Sequence, residues 1–129
     1  MRLAPKPEID PAFETMVRQK VGGLIVANEA FFYSQRHRIL KLAQHHGIPA
    51  IYSCSSCARA GGLMSYESKI DWYYQVGVYI GKVLNGARPA DLPVLQPTTY
   101  ELIINLKTAK ELGLTIPPSI MVRADEVIE

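Results

Sequence analysis

Cysteine, histidine and tryptophan are scarce in this chain, long apolar runs are missing, and neither sign of charge prevails. Each scarcity excludes something. No apolar stretch approaches the ~20 residues that cross a bilayer as a helix, so direct membrane insertion is not expected. A net charge of +2, with acids and bases interspersed, offers no basic face for nucleic acid. The two cysteines stand together as Cys54-Ser55-Ser56-Cys57 and cannot staple distant parts of a fold into a disulfide framework. The three histidines are His37, His45 and His46. Neighbours on a helix diverge by about 100°, so His45 and His46 form no chelating face, and no Cys or carboxylate completes a zinc site at the usual spacing. The glycines of "ARAGGLMSY" match neither a phosphate-binding loop nor a dinucleotide fingerprint. No Ser-His-Asp or paired-carboxylate set assembles, so neither an enzyme nor a cofactor is expected. In the opening "MRLAPKPEIDPAFETM", Pro, Lys, Glu and Asp stand where the apolar core of a secretory signal would lie. As written, the chain is expected to stay in the cytoplasm.

What is present reads as one α/β domain of 129 residues, with a hydrophobic share of 48% that suits a globular core. Phe13, Met16 and Val17 recur at helical spacing over residues 12–20, with Asp10 as the expected N-cap. "LIVAN" (24–28) is a continuous apolar run of strand length, the mark of a strand covered on both faces. Ile39, Leu40, Leu42 and Ala43 set a helix over residues 33–46, ended by Gly47. "IPAIY" (48–52) and "LMSY" (63–66) supply two further strands. The longest helix covers residues 69–86. Its two apolar stripes, one through Ile70, Tyr74 and Ile80 and one through Trp72, Val76, Tyr79 and Val83, exceed the face of an ordinary surface helix. "TYELIINL" gives a fourth strand, a helix follows over residues 107–112, and a short terminal helix is expected from Ser119 onward. Strands alternating with helices at short loop spacing predict a parallel, Rossmann-like sheet flanked by helices.

In such sheets ligands bind beyond the carboxyl ends of the strands. Those ends carry Asn28 and Glu29, then Ser53, Cys54 and Ser55, then Ser65 and Tyr66, all polar groups on loops held by a rigid scaffold. Asn28, Glu29, Ser53, Cys54, Ser65 and Tyr66 are the candidate ligand-binding residues, although Ser53 or Ser55 also suits a plain helix cap. The CSSC motif opens a different class of reading, a small thiol oxidoreductase with Cys54 as nucleophile and Cys57 as resolving thiol. The simpler reading is two small residues in a strand-to-helix loop.

From "GGLMSYES" through "KVLNGARPADLPVLQPTTYELIINLKTAKELGLTIPPSI" to the end, the text closely resembles the C-terminal region of ABC transporter substrate-binding proteins, in the branch grouped with tryptophan/tyrosine-type components. The resemblance implies two α/β lobes of periplasmic-binding-protein type I fold, joined by a hinge and closing on a small organic ligand. It also implies a periplasmic location and delivery to a membrane permease and ATPase. By it, "LIVAN" and "AIY" belong to the second lobe and Ser65 and Tyr66 lie near a hinge crossing. The helix from Lys69 packs on the first lobe, and residues 100–106 return the chain. Residues 1–129 then form a single α/β domain truncated relative to the two-lobed family. A helix built to lie on another lobe leaves its stripe of Trp72, Val76, Tyr79 and Val83 seeking cover, which leads to the expectation of a homodimer. A dimeric remnant that binds no solute is the remaining alternative.

Overall fold

The computed structural model describes residues 8–129, in the order α1 (Ile9–Arg18), β1 (Leu24–Val26), α2 (Ala30–Ser34), α3 (Arg36–His45), β2 (Ala50–Tyr52), α4 (Ser55–Arg59), β3 (Met64–Ser68), α5 (Trp72–Leu84), β4 (Tyr100–Asn105), α6 (Leu106–Glu111), α7 (Pro118–Met121) and β5 (Glu126–Ile128). The chain divides into two compact units. The first holds the chain up to Glu67 together with Glu101–Glu129, and the second is Ser68–Tyr100.

The strands form one sheet in the order β1-β2-β3-β4-β5. β1 pairs with β2, β2 with β3 and β4 with β5 in parallel. Between β3 and β4 the Asn105 N–H donates to Leu63 O at 2.9 Å, and the Lys69 N–H to Thr99 O at 3.0 Å, so these neighbours run antiparallel. The sheet is therefore mostly parallel. The chain leaves the first unit along β3 and returns beside it along β4.

The core of the first unit follows the helical and strand periods. Phe13 of α1 and Ile39, Leu40 and Ala43 of α3 pack with Ile48, Ala50, Tyr52 and Cys57. Ile103 and Ile104 at the centre of β4 are 0% exposed. Asn105 caps α6 by accepting from the Thr108 N–H at 3.1 Å, and its amide donates to Ala58 O at 3.1 Å, so a buried polar residue is satisfied on both sides. Gly47 ends α3 at φ +63°, a conformation that other residues adopt only at a cost.

Several expectations are corrected. Asp10 is not the N-cap of α1; the helix starts earlier, after Glu8, and Asp10 in its first turn pairs instead with Arg38 of α3. One helix over 33–46 is in fact two, α2 and α3, broken at Gln35. The terminal helix stops at Met121, and the chain then adds a fifth strand. Its entry is fixed by two bonds to β4: the Asp125 N–H donates to Leu102 O at 2.8 Å, and Asp125 Oδ2 accepts from the Leu102 N–H at 2.9 Å. Three residues carry too little period to reveal such a strand in sequence. "LIVAN" is not covered on both faces by this chain, since Ile25, on the face of the edge strand β1 opposite Leu24 and Val26, is 80% exposed.

The second unit is α5, a 3-10 turn at Pro89–Asp91, and an extended return to Tyr100. Asp71 caps α5 by accepting from the Tyr74 N–H at 3.0 Å. Tyr79 donates its hydroxyl to Pro93 O, and Arg88 forms two hydrogen bonds with Asp91. No residue of α5 is buried, and Tyr73 is 95% exposed.

Gly62 tests the packing of the first unit. A Cβ there would lie 2.8 Å from the Tyr52 ring and 2.9 Å from the Cys57 carbonyl oxygen, and the backbone atom cannot swing aside. Gly62→Ala is expected to lower stability by about 1–3 kcal/mol, read from urea denaturation. Gly77→Ala on α5, where a Cβ meets nothing within 4 Å, is expected to leave the first unit's transition unchanged.

Candidate functional site

The carboxyl ends of β1, β2 and β3 lie along one edge of the sheet, because these strands are parallel neighbours. The loop after β1 presents Ala27, Asn28 and Glu29, all exposed. The loop after β2 presents Ser53 and Cys54, both half-buried. Ser53 donates its hydroxyl to Val26 O at 3.3 Å and so ties the end of β2 to that of β1. Asn28, Ser53 and Cys54 line one small cavity with Phe32, Tyr33, Arg36, Tyr52 and Cys57. Its volume of about 20 Å³ holds a single water-sized group, so it is a crevice in an open face.

Glu29, Ser65 and Tyr66 do not join that cavity. Glu29 opens α2 from the N-cap position without a side-chain cap bond, and Tyr66, expected to end its strand, is exposed at the middle of β3, which runs on to Ser68. Ser65 is 0% exposed, and its hydroxyl lacks a hydrogen-bond partner among the described residues. It lies inside the sheet's packing, away from the open face.

Arg36 was not legible as a site residue. Its Nη1 donates to Tyr33 O at 3.0 Å and its guanidinium lies 4.5 Å from the centre of the Tyr33 ring. This holds the one cation that lines the crevice among the described residues. The available signal was an arginine about two turns beyond the first strand-end loop.

Cys54 and Cys57 are joined as a disulfide, which corrects the picture of two separate small residues. Cys54 is the N-cap residue of α4, and Cys57 is 1% exposed. Neither Ser53 nor Ser55 caps α4 through its side chain. Glu67 of β3 instead accepts from the Ser55 N–H at 2.7 Å, placing a carboxylate at the helix start. Near the far end of α4, Arg59 donates to Glu126 of β5 at 2.6 Å and lies 3.9 Å from Glu101 of β4. The hydrogen bond from Arg59 holds the Glu126 carboxyl below its usual range. α4 is thus clamped at both ends to the sheet.

Two larger concavities are apolar. One of about 570 Å³ lies within the second unit, between α5 and residues 89–95. The other, about 330 Å³, lies beside the β1 edge, between Phe13, Met16 and Ile25. Neither gathers convergent polar groups, so we place the candidate site at the strand ends despite its small size. No cluster of three or more His, Cys, Asp or Glu able to hold a metal occurs among the described residues, and no described helix is long and apolar enough to cross a membrane.

An open α/β lobe with polar strand-end loops defines a small-molecule binding class. The family of ABC transporter substrate binding proteins matches residues 5–128, and the chain belongs to that family. An ABC domain from Streptococcus pneumonia, solved in complex with L-Trp, is 32% identical over 95% of this chain, with a TM-score of 0.76. A conserved domain protein from Vibrio cholerae (24% identity, 92% of this chain, TM-score 0.78) and a ligand-free, open substrate binding protein with adhesive properties from Clostridium difficile (23%, 98%, 0.60) share the fold. The chain spans 40–44% of the length of these structures. No curated protein matches the sequence. The sheet and its helices match one lobe of a periplasmic binding protein.

Tyr52 ends β2 at the floor of the crevice, 2% exposed, and burial pushes its phenol up to about 12 from 10.0. Folding therefore favours the neutral phenol. That advantage is intact below pH 10 and is lost as pH rises to about 12, where the unfolded chain ionises first. The stability of the wild type is expected to fall by up to roughly 2–3 kcal/mol more than that of Tyr52→Phe across this window, measured by denaturation at stepped pH.

Proposed function

We propose that this chain forms the second lobe of the solute-binding component of an ABC uptake transporter, working in the periplasm and handing a small organic solute to a membrane permease. The reading is carried by one conjunction: membership of the family, and Asn28, Ser53 and Arg36 gathered at the strand ends. A cation held against an aromatic ring, beside an amide and a hydroxyl, suits a solute that carries a carboxylate and an apolar body. The L-Trp complex of the pneumococcal relative supports an aromatic amino acid as the first solute to test. Cys54 forms part of the crevice wall. The role is one of binding, with no reaction assigned.

A crevice this shallow gives half of an enclosure, so capture by this lobe alone is weak. L-tryptophan titrated into the labelled chain is expected to shift the amide resonances of Asn28, Ser53 and Arg36, with dissociation in the millimolar range. Arg36→Ala is expected to reduce the affinity about tenfold, the loss of one charge-assisted contact. Shifts confined to α5, or no shifts with any of the aromatic amino acids, count against the site.

The exposed face of α5 (Trp72, Val76, Ile80 and Val83) is the surface that meets the other lobe in a two-lobed protein. In a chain bearing this lobe alone, a second copy takes that place and gives a homodimer. Sedimentation at micromolar concentration is expected to show the dimer, and Val76→Glu to return a monomer. A monomeric wild type contradicts the assembly.

A further inference from the structure

Cys54 and Cys57 line the proposed crevice, but the proposed capture of solute makes no use of the bond between them. It closes a separation of only three residues, so it removes far less entropy from the unfolded chain than a long-range bridge does. Its effect is local. What it fixes is the corner from β2 into α4, with one sulfur on the N-cap residue and the other inside the helix. Both cysteines line the crevice beside Asn28, Ser53 and Arg36, so the bridge is part of the wall of the candidate site.

The two sulfurs differ in access. Cys54 is half-buried, whereas Cys57 is 1% exposed and packs in the core with Tyr52. A disulfide opens when a thiolate attacks one sulfur and the other departs as a thiolate. We propose that this bridge is a thiol-exchange site, entered at Cys54, whose opening loosens the ligand-facing corner. A thiolate of a small dithiol bonds to Cys54 Sγ while the Cys54–Cys57 bond breaks, and Cys57 leaves with the electron pair and takes a proton from solvent. The second thiol of the reagent then displaces Cys54, and the reagent departs as its cyclic disulfide. The protein gains two electrons and two protons, and the dithiol loses them. A departing charge in the apolar surroundings of Cys57 is costly, so opening is slow and the bridge acts as a switch rather than as a turnover catalyst. Once it is open, Cys54 loses its covalent tie to the buried Cys57 and keeps only its packing at the core's margin, while Glu67 keeps its grip on the Ser55 N–H.

This names a regulation of the proposed site and rests on the reading of the strand-end loops as ligand-facing. Its test needs no ligand, so the two fail separately. The purified chain is treated with the monothiol glutathione, trapped with iodoacetamide and sequenced by mass spectrometry. The expected product carries glutathione on Cys54 and the alkyl group on Cys57. The reverse pattern, or no adduct, overturns the proposal. In parallel, hydrogen exchange is compared between the oxidised chain and the chain reduced with dithiothreitol. Amides of residues 53–60 and 28–33 are expected to exchange at least tenfold faster after reduction, with Ile103 and Ile104 unchanged. Unaltered exchange at the corner, or equal acceleration through β4, overturns the coupling. The Cys54→Ser/Cys57→Ser double variant is expected to reproduce the reduced pattern without reagent.

Discussion

An apolar helix without a single buried residue is the constraint from which the rest of the account follows. α5 carries Trp72, Val76, Ile80 and Val83 at the spacing of a buried face, yet the second unit offers them only an extended return segment and a 3-10 turn. Water against such a face is unfavourable by roughly 25 cal/mol per Å² of apolar area. A few hundred Å² amounts to several kcal/mol, comparable with the whole stability of a small domain. The helix is well made in itself, with a side-chain cap at Asp71 and a hydroxyl from Tyr79 anchoring the return. Its sequence is therefore fitted to be a helix and to be covered. The solved structures that share this fold are more than twice as long as this chain.

The same logic applies at the strand ends. The loops after β1 and β2 are braced by backbone and side-chain bonds, and α4 is pinned by Glu67 at its start and by Arg59 near its end. A rigid scaffold thus holds polar groups on an open face. The carboxylate of Glu67 already occupies the first free amide of α4, which leaves the Arg36 guanidinium as the cationic group of the proposed site. Burial of Tyr52 beneath the crevice keeps its floor neutral at ordinary pH.

Much of the fold was legible because its long elements have clear periods. The helix bearing Ile39, Leu40 and Ala43, the long helix through Ile80 and the strand through Ile103 and Ile104 all appear within a few residues of their expected places. What was missed is short or tertiary. β5 has three residues and is set by bonds between Asp125 and Leu102, which sequence spacing cannot show. The N-terminal helix extends back through Asp10 because Arg38 meets it from α3, across 28 positions of chain. Ile25 is exposed because it alternates to the face opposite Leu24 and Val26, which pack on the core, and a local apolar run does not say which face is covered. Of the candidate site, Asn28, Ser53 and Cys54 do converge. Ser65 alternates inward by the period of β3 and is lost to the packing. Arg36 was hidden because its place depends on the break at Gln35.

The chain has one tryptophan, and it sits on the helix at issue, so its fluorescence reads the central claim directly. Trp72 is 42% exposed, with its indole N–H donating to Ser68 Oγ at 3.1 Å. Emission and iodide quenching are measured while the protein is diluted until it is monomeric. The account predicts red-shifted, readily quenched emission in the monomer, moving to the blue and resisting quencher as association covers α5. Blue-shifted, quencher-resistant emission in a dilute monomer would contradict it, because the chain would then cover that helix by itself.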